Sequence, residues 1–133
     1  MSQYIKIVYT ACFVTNPQTL LGIFPPIHNR VFAHHSTIEY RPKDLSDIEI
    51  GKKYNLRIIG YVYDENSQAV LVENPKSTKE HPHITISCTD DVNPRHTADM
   101  IERSITYGTV NPVEPFEIEV VEGYFNGQED VVS

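Results

Sequence analysis

The sequence predicts a strand-rich α+β fold in a single domain, residues 1–133, and three observations predict it. Short runs of β-branched and aromatic residues recur along the chain, separated by clusters of Gly, Pro, Asn and Asp. Only two stretches carry a helix start or helical spacing. No linker, low-complexity run or break in composition divides the 133 residues, a length suited to one core.

Each element follows in order. Residues 4–14 (YIKIVYTACFV) read as a strand. Asn16-Pro17 starts a short helix with Leu20, Leu21 and Phe24 apolar, stopped by Pro25-Pro26. Residues 31–40 (VFAHHSTIEY) form a second strand, ended at Arg41-Pro42, and a polar acidic loop leads to Gly51. Residues 54–63 and 68–73 are two strands joined by the turn-forming Asp64-Glu65-Asn66-Ser67. Residues 83–88 (HITISC) are a further strand. Met100, Ile101 and Ile105 give residues 97–105 a helical stripe, and residues 116–125 alternate as a last strand before the turn Asn126-Gly127. Antiparallel sheet around a cleft, with about two helices, is the expected architecture.

Bulk numbers narrow the function. The net charge is −7 with His neutral, and no Lys/Arg run exceeds two residues. Duplex nucleic acid is held largely through phosphate contacts from Lys and Arg, so a duplex partner is not expected. A short anionic ligand in a local pocket is compatible with this balance. No apolar stretch approaches the roughly 18 to 20 residues that cross a bilayer, so no membrane partner is expected. The opening MSQYIKIVYTACFV has no signal-peptide pattern, which predicts a cytoplasmic protein. Cys12 and Cys88 have no metal spacing and are compatible with a pair or with two free thiols; in a reducing compartment both are expected as small buried hydrophobes.

One pattern occurs twice. His35-Ser36-Thr37-Ile38 and His83-Ile84-Thr85-Ile86 share His-x-Thr-Ile, 48 positions apart. Successive side chains on a strand point to opposite faces. Each His therefore shares a face with its Thr, while each Ile turns toward a core. If the two strands are neighbours, two imidazoles and two hydroxyls converge on one cleft. That set suits phosphodiester chemistry without a metal. A neutral imidazole takes a proton from the nucleophile, and a protonated one supplies the leaving oxygen. The hydroxyls hydrogen-bond the phosphate oxygens as their charge grows.

The paired motifs resemble those of the two-histidine phosphoesterase superfamily, which includes LigT-like RNA ligases and cyclic phosphodiesterases. The stretches FPPIHNRVFAHHSTIEYRP, IGKKYNLRIIGYVYDENSQAVLVE and HPHITIS resemble a compact branch with an aromatic-Pro-Pro segment before the first motif. The likeness spans about residues 8 to 105. It implies a cleft enzyme, with His35 and His83 as the acid/base pair and Thr37 and Thr85 as phosphate binders. It also implies a cyclic phosphate or a 2′-5′ or 3′-5′ link of a small nucleotide or short oligonucleotide as substrate. RNA ends and nucleotide second messengers of antiviral defence are the settings it suggests. The interval between the motifs reads as strands where helices fill it in better-known members, so a reduced second lobe is expected.

The remaining candidates are secondary. His81 shares the parity of His83, and Arg41, Arg95 and Phe32 lie beside the motif strands; all four are candidate substrate contacts. Arg30 is a third arginine within reach of a phosphate, and Tyr9, Phe24, Tyr40 and Tyr107 join Phe32 as aromatics able to stack on a base, although core or sheet packing is the expected role of each taken singly. His34 faces away from His35 on a regular strand and is expected to make a structural hydrogen bond. His28 and His96 are expected as surface residues. Neither Cys-x-x-Cys nor His-Glu-x-x-His spacing is present, so no metal or other cofactor is expected. A module that sequesters nucleotides in the same cleft without turnover is the alternative function.

Overall fold

The computed structural model describes residues 5–93 and 95–133 of the chain. Eight strands and two helices follow one another as β1 (Tyr9–Val14), α1 (Pro17–Ile23), β2 (Arg30–Val31), β3 (His35–Tyr40), β4 (Lys53–Tyr63), β5 (Ser67–Glu73), β6 (His83–Cys88), α2 (Arg95–Tyr107), β7 (Asn111–Phe125) and β8 (Asp130–Val131). All the strands pair antiparallel in one sheet, in the order β2-β6-β5-β4-β7-β1-β3, with β8 attached to β7. The α+β class read from the sequence is the one observed.

The sheet curls into a half-barrel whose two ends are joined by one stretch of chain. Arg30 and Val31 pair with Cys88 and Ser87 of β6, and the Phe32 and Ala33 amides still donate to the Ile86 and Thr85 carbonyls at 2.8 and 2.9 Å. Ala33 then takes a positive φ of 52°. The chain leaves the β6 edge there and pairs with β1, Phe13 opposite His35 and Ala11 opposite Thr37. The single strand expected over residues 31–40 is thus two strands with a kink between them. A left-handed alanine is a costly conformation, roughly 1–2 kcal/mol, and nothing in its side chain announces it.

Three further boundaries differ from expectation. The first strand begins at Tyr9, so the expected residues 5–8 lie before it and residue 4 falls outside the described ones. The last long strand extends back to Asn111, past Pro112 and Pro115, because β4 offers eleven residues to pair with. The short β8 follows the Asn126-Gly127 turn, where Gly127 has φ +99°.

Packing follows the strand alternation. Ile38, Leu56, Val70, Ile84, Ile86 and Val120 point inside the curl and form the main core with Leu20 of α1. Both motif isoleucines are therefore buried, each stabilising the sheet by about 1.5–3 kcal/mol. On the outer face, Met100 and Ile101 of α2 pack on Val62 and Ala69. Further along that face Ala11, Phe13 and Val121 are covered by Tyr9 and by Val132, which follows β8. No helix among the described residues is long and apolar enough to cross a membrane.

A buried amide anchors the approach to the first motif. Gln68 is fully buried and donates to the Pro25 carbonyl and the Tyr61 hydroxyl, both at 2.9 Å. Its Oε1 accepts from the Ser87 hydroxyl at 2.6 Å and the Ile27 amide at 3.1 Å. The Pro25-Pro26 segment is thereby tied to β5 and β6, and Phe24 stacks in the core on Tyr61 and Phe116.

Candidate active site

The curl places the two motif strands side by side although they stand near opposite ends of the sheet order. The Ala33 amide reaches the Thr85 carbonyl, and the Thr78 amide reaches the Ile38 carbonyl at 2.7 Å. His35 and Thr37 of β3, and His83 and Thr85 of β6, all line one open cleft of about 1030 Å³ on the outer face. Phe32, Lys79 and Arg95 border the same space. Among the described residues, neither threonine hydroxyl has a hydrogen-bond partner in the protein, which leaves both free for a ligand. A smaller depression of about 460 Å³, beside Lys6 and Asn126, has no histidine and hence no acid–base pair.

Each imidazole is held through one nitrogen. His83 Nδ1 lies 3.0 Å from the His81 carbonyl, which can only accept, so Nδ1 carries the hydrogen and Nε2 is left for the cleft. His35 Nδ1 lies 2.8 Å from His34 Nδ1, which again leaves Nε2 for the cleft. His35 is also sandwiched, stacked on Tyr9 with centroids 4.7 Å apart and tilted against Phe13 at 5.9 Å.

Burial sets the electrostatics. Desolvation pulls the His35 pKa down to about 3, with smaller contributions from charge on His34 and His83. Burial also lowers the His83 pKa, partly opposed by the hydrogen bond to the His81 carbonyl and assisted by Lys79 and His81. Both rings are thus poised neutral when the cleft holds no ligand.

The secondary candidates divide. Phe32 and Arg95 border the cleft, and Phe32 is 41% exposed with the Arg30 guanidinium 5.8 Å from its ring. Arg41, at φ 52°, turns over the Tyr40 ring and is not among the lining residues. The His81 side chain pairs with Glu102 at 3.1 Å outside the cleft, so His81 serves the site through its backbone carbonyl. Arg30 is committed to the Thr89 and Val92 carbonyls.

Three histidines depart from expectation. His34 makes the expected hydrogen bond, to Asp130 at 2.6 Å, but it precedes β3 after the Ala33 kink, so strand alternation does not apply to it and its ring turns to meet that of His35. His28 and His96, expected as surface residues, both bind Asp64, one through the carbonyl at 3.0 Å and the other through the carboxylate at 2.8 Å. His34 is the site residue that strand parity misses; its adjacency to His35 in sequence was the available signal.

No protein-family model matches the chain, and comparison with curated proteins gives no match.

Proposed function

We propose that the chain is a metal-independent phosphodiesterase of the two-histidine class, acting in the cytoplasm on a small nucleotide or a short, including cyclic, oligonucleotide. The observation that carries this reading is the convergence of two imidazoles, each with Nε2 left free, and two unpartnered threonine hydroxyls on one cleft. One imidazole removes the proton of the attacking hydroxyl or water, and the other protonates the leaving oxygen. Thr37 and Thr85 hydrogen-bond the non-bridging oxygens, and Lys79 and Arg95 favour an anion there. The cleft volume sits at the upper end for small-molecule sites, roughly 300–1,000 Å³, which suits more than one nucleotide.

A sequestering role is the second reading, and the neutral state of both rings favours it, since binding alone needs no proton donor. A phosphate in the cleft works against that state, because a nearby negative charge raises the pKa of the imidazole that must donate. The deciding experiment incubates the protein, with excess chelator, with 2′,3′-cyclic nucleotides, 2′-5′ oligoadenylates and cyclic oligonucleotides. Products are read by chromatography and mass spectrometry. Cleavage of one class supports the enzyme. Tight retention of one class without product would move the assignment to sequestration.

A further inference from the structure

His34 has two polar neighbours, and together they form a line of three groups. Its Nδ1 lies 2.8 Å from His35 Nδ1, and its Nε2 lies 2.6 Å from Asp130 Oδ2. The His34 and His35 rings stand at 90° with centroids 4.9 Å apart, and the Phe13 ring meets His34 at 74°, fixing its orientation. Asp130 belongs to β8, which is pinned to β7 through Phe125 and Tyr124. The tail crosses β7 so closely at Gly123 that a Cβ there would run into the Val131 carbonyl oxygen. The carboxylate is therefore delivered by a built contact, 96 positions from His34 in sequence.

Hydrogen-bond polarity along this line has one consistent solution for two neutral rings. A carboxylate only accepts, so His34 Nε2 carries a hydrogen and His34 Nδ1 is bare. The bare Nδ1 must accept, so His35 Nδ1 carries its hydrogen and His35 Nε2 holds a lone pair toward the cleft.

We infer that Asp130 and His34 are positioning residues that hold His35 in the tautomer of a general base, which leaves His83 as the general acid. This rests on the phosphodiesterase reading. In the step so assigned, His35 Nε2 takes the proton of the attacking O–H, and the oxygen lone pair forms the new P–O bond. The bond from phosphorus to the leaving oxygen breaks with its electron pair on that oxygen, which takes the Nε2 proton of His83. That ring must be imidazolium in the complex, because Nδ1–H stays on the His81 carbonyl and the bound phosphate favours the charged form. The charge gained by His35 is shared through Nδ1–H with His34 and offset by Asp130. The ionisable groups facing His35 are Tyr9 from β1, His34, and His83 from β6, with Asp130 beyond His34. The low His35 pKa agrees with a neutral resting ring.

The test has two parts. Long-range nitrogen–proton NMR on the wild-type protein at neutral pH reads the tautomers without any substrate. The expected result is hydrogen on Nδ1 of His35 and on Nε2 of His34. Hydrogen on Nε2 of His35 would overturn the assignment. In the activity assay, Asp130→Asn should lower kcat by about 10²-fold or more with a smaller change in KM, as loss of a general-base contribution does. Asp130→Glu should recover part of that loss. A folded Asp130→Asn variant within about threefold of wild type in kcat, while His35→Ala is inactive, would remove Asp130 from the mechanism and leave the phosphodiesterase reading standing. If the wild-type protein turns over none of the compounds, that reading fails, and the tautomer measurement decides the arrangement alone.

Discussion

The His35 imidazole lies against the Tyr9 ring, with centroids 4.7 Å apart and planes 19° apart, so one face of the proposed base is shielded from water by a phenol. Burial in turn pushes the Tyr9 hydroxyl up to about 12, with the Asp130 charge adding to it, so the phenol stays neutral. Tyr9→Ala opens that face. The His35 pKa should then rise from about 3 toward the ordinary value near 6.5, followed by NMR titration of its ring protons. Tyr9→Phe keeps the stack and should leave the titration low.

Acid should destabilise the protein through the same ring. His35 titrates lower folded than unfolded, so between pH ~6.5 and about 3 the unfolded chain binds more protons. Stability is full above pH ~6.5 and falls below it, by up to about 1.4 kcal/mol per pH unit for this one group. Urea unfolding at a series of pH values should show the fall. His35→Asn should flatten it, and an unchanged slope in that variant would assign the acid sensitivity elsewhere.

The four motif side chains should differ in cost. On the proposed mechanism, His35→Ala and His83→Ala each remove a proton-transfer group worth roughly 10² to 10⁴-fold. Thr37→Val and Thr85→Val each remove one hydrogen bond to a charged oxygen, about 1.5–3 kcal/mol, or about 10 to 10²-fold in kcat. Near wild-type rates for either histidine variant would end the two-imidazole mechanism.

On β7, Glu122 is fully buried and bound by Lys76 at 2.8 Å and by the Glu49 amide at 2.8 Å. Burial pushes its pKa up, but Lys76, the Tyr54 hydroxyl and the Glu49 amide together hold it below the usual carboxylate range. Lys76→Met should cost about 3 kcal/mol in denaturant unfolding, the low end for a broken buried pair because Lys76 reaches solvent. Adding Glu122→Gln should recover part of the loss, since the stranded charge is then gone.

What could be read in the sequence was local and periodic. The His-x-Thr-Ile repeats placed His and Thr on one face and Ile in the core because a strand alternates with period two, and both strands do so. The β4–β5 hairpin and both helices were visible for similar reasons. What escaped depends on contacts between distant segments. Ala33 takes a left-handed φ only because its neighbours pair with two different sheet edges. His34 gains its role from that kink and from Asp130 on a two-residue strand too short to show periodicity. Gln68 looked like an ordinary strand residue, and its part in anchoring the Pro25-Pro26 segment needs Ser87 and Tyr61 beside it.

The closing of the half-barrel has a kinetic consequence. Strand β1 pairs with β7 from the far end of the chain, and the motif strands meet only when the ends of the sheet come together. Such non-local pairing carries the loop-closure entropy before its contacts repay it, which places folding in the slow range of milliseconds to seconds. The cleft has no local precursor: a chain that has formed only its β4–β5–β6 meander holds His83 and Thr85 but not their counterparts. The assembled cleft therefore arrives with the long-range contacts, and on the proposed function, recovery of turnover after dilution from denaturant would time the closure of the sheet.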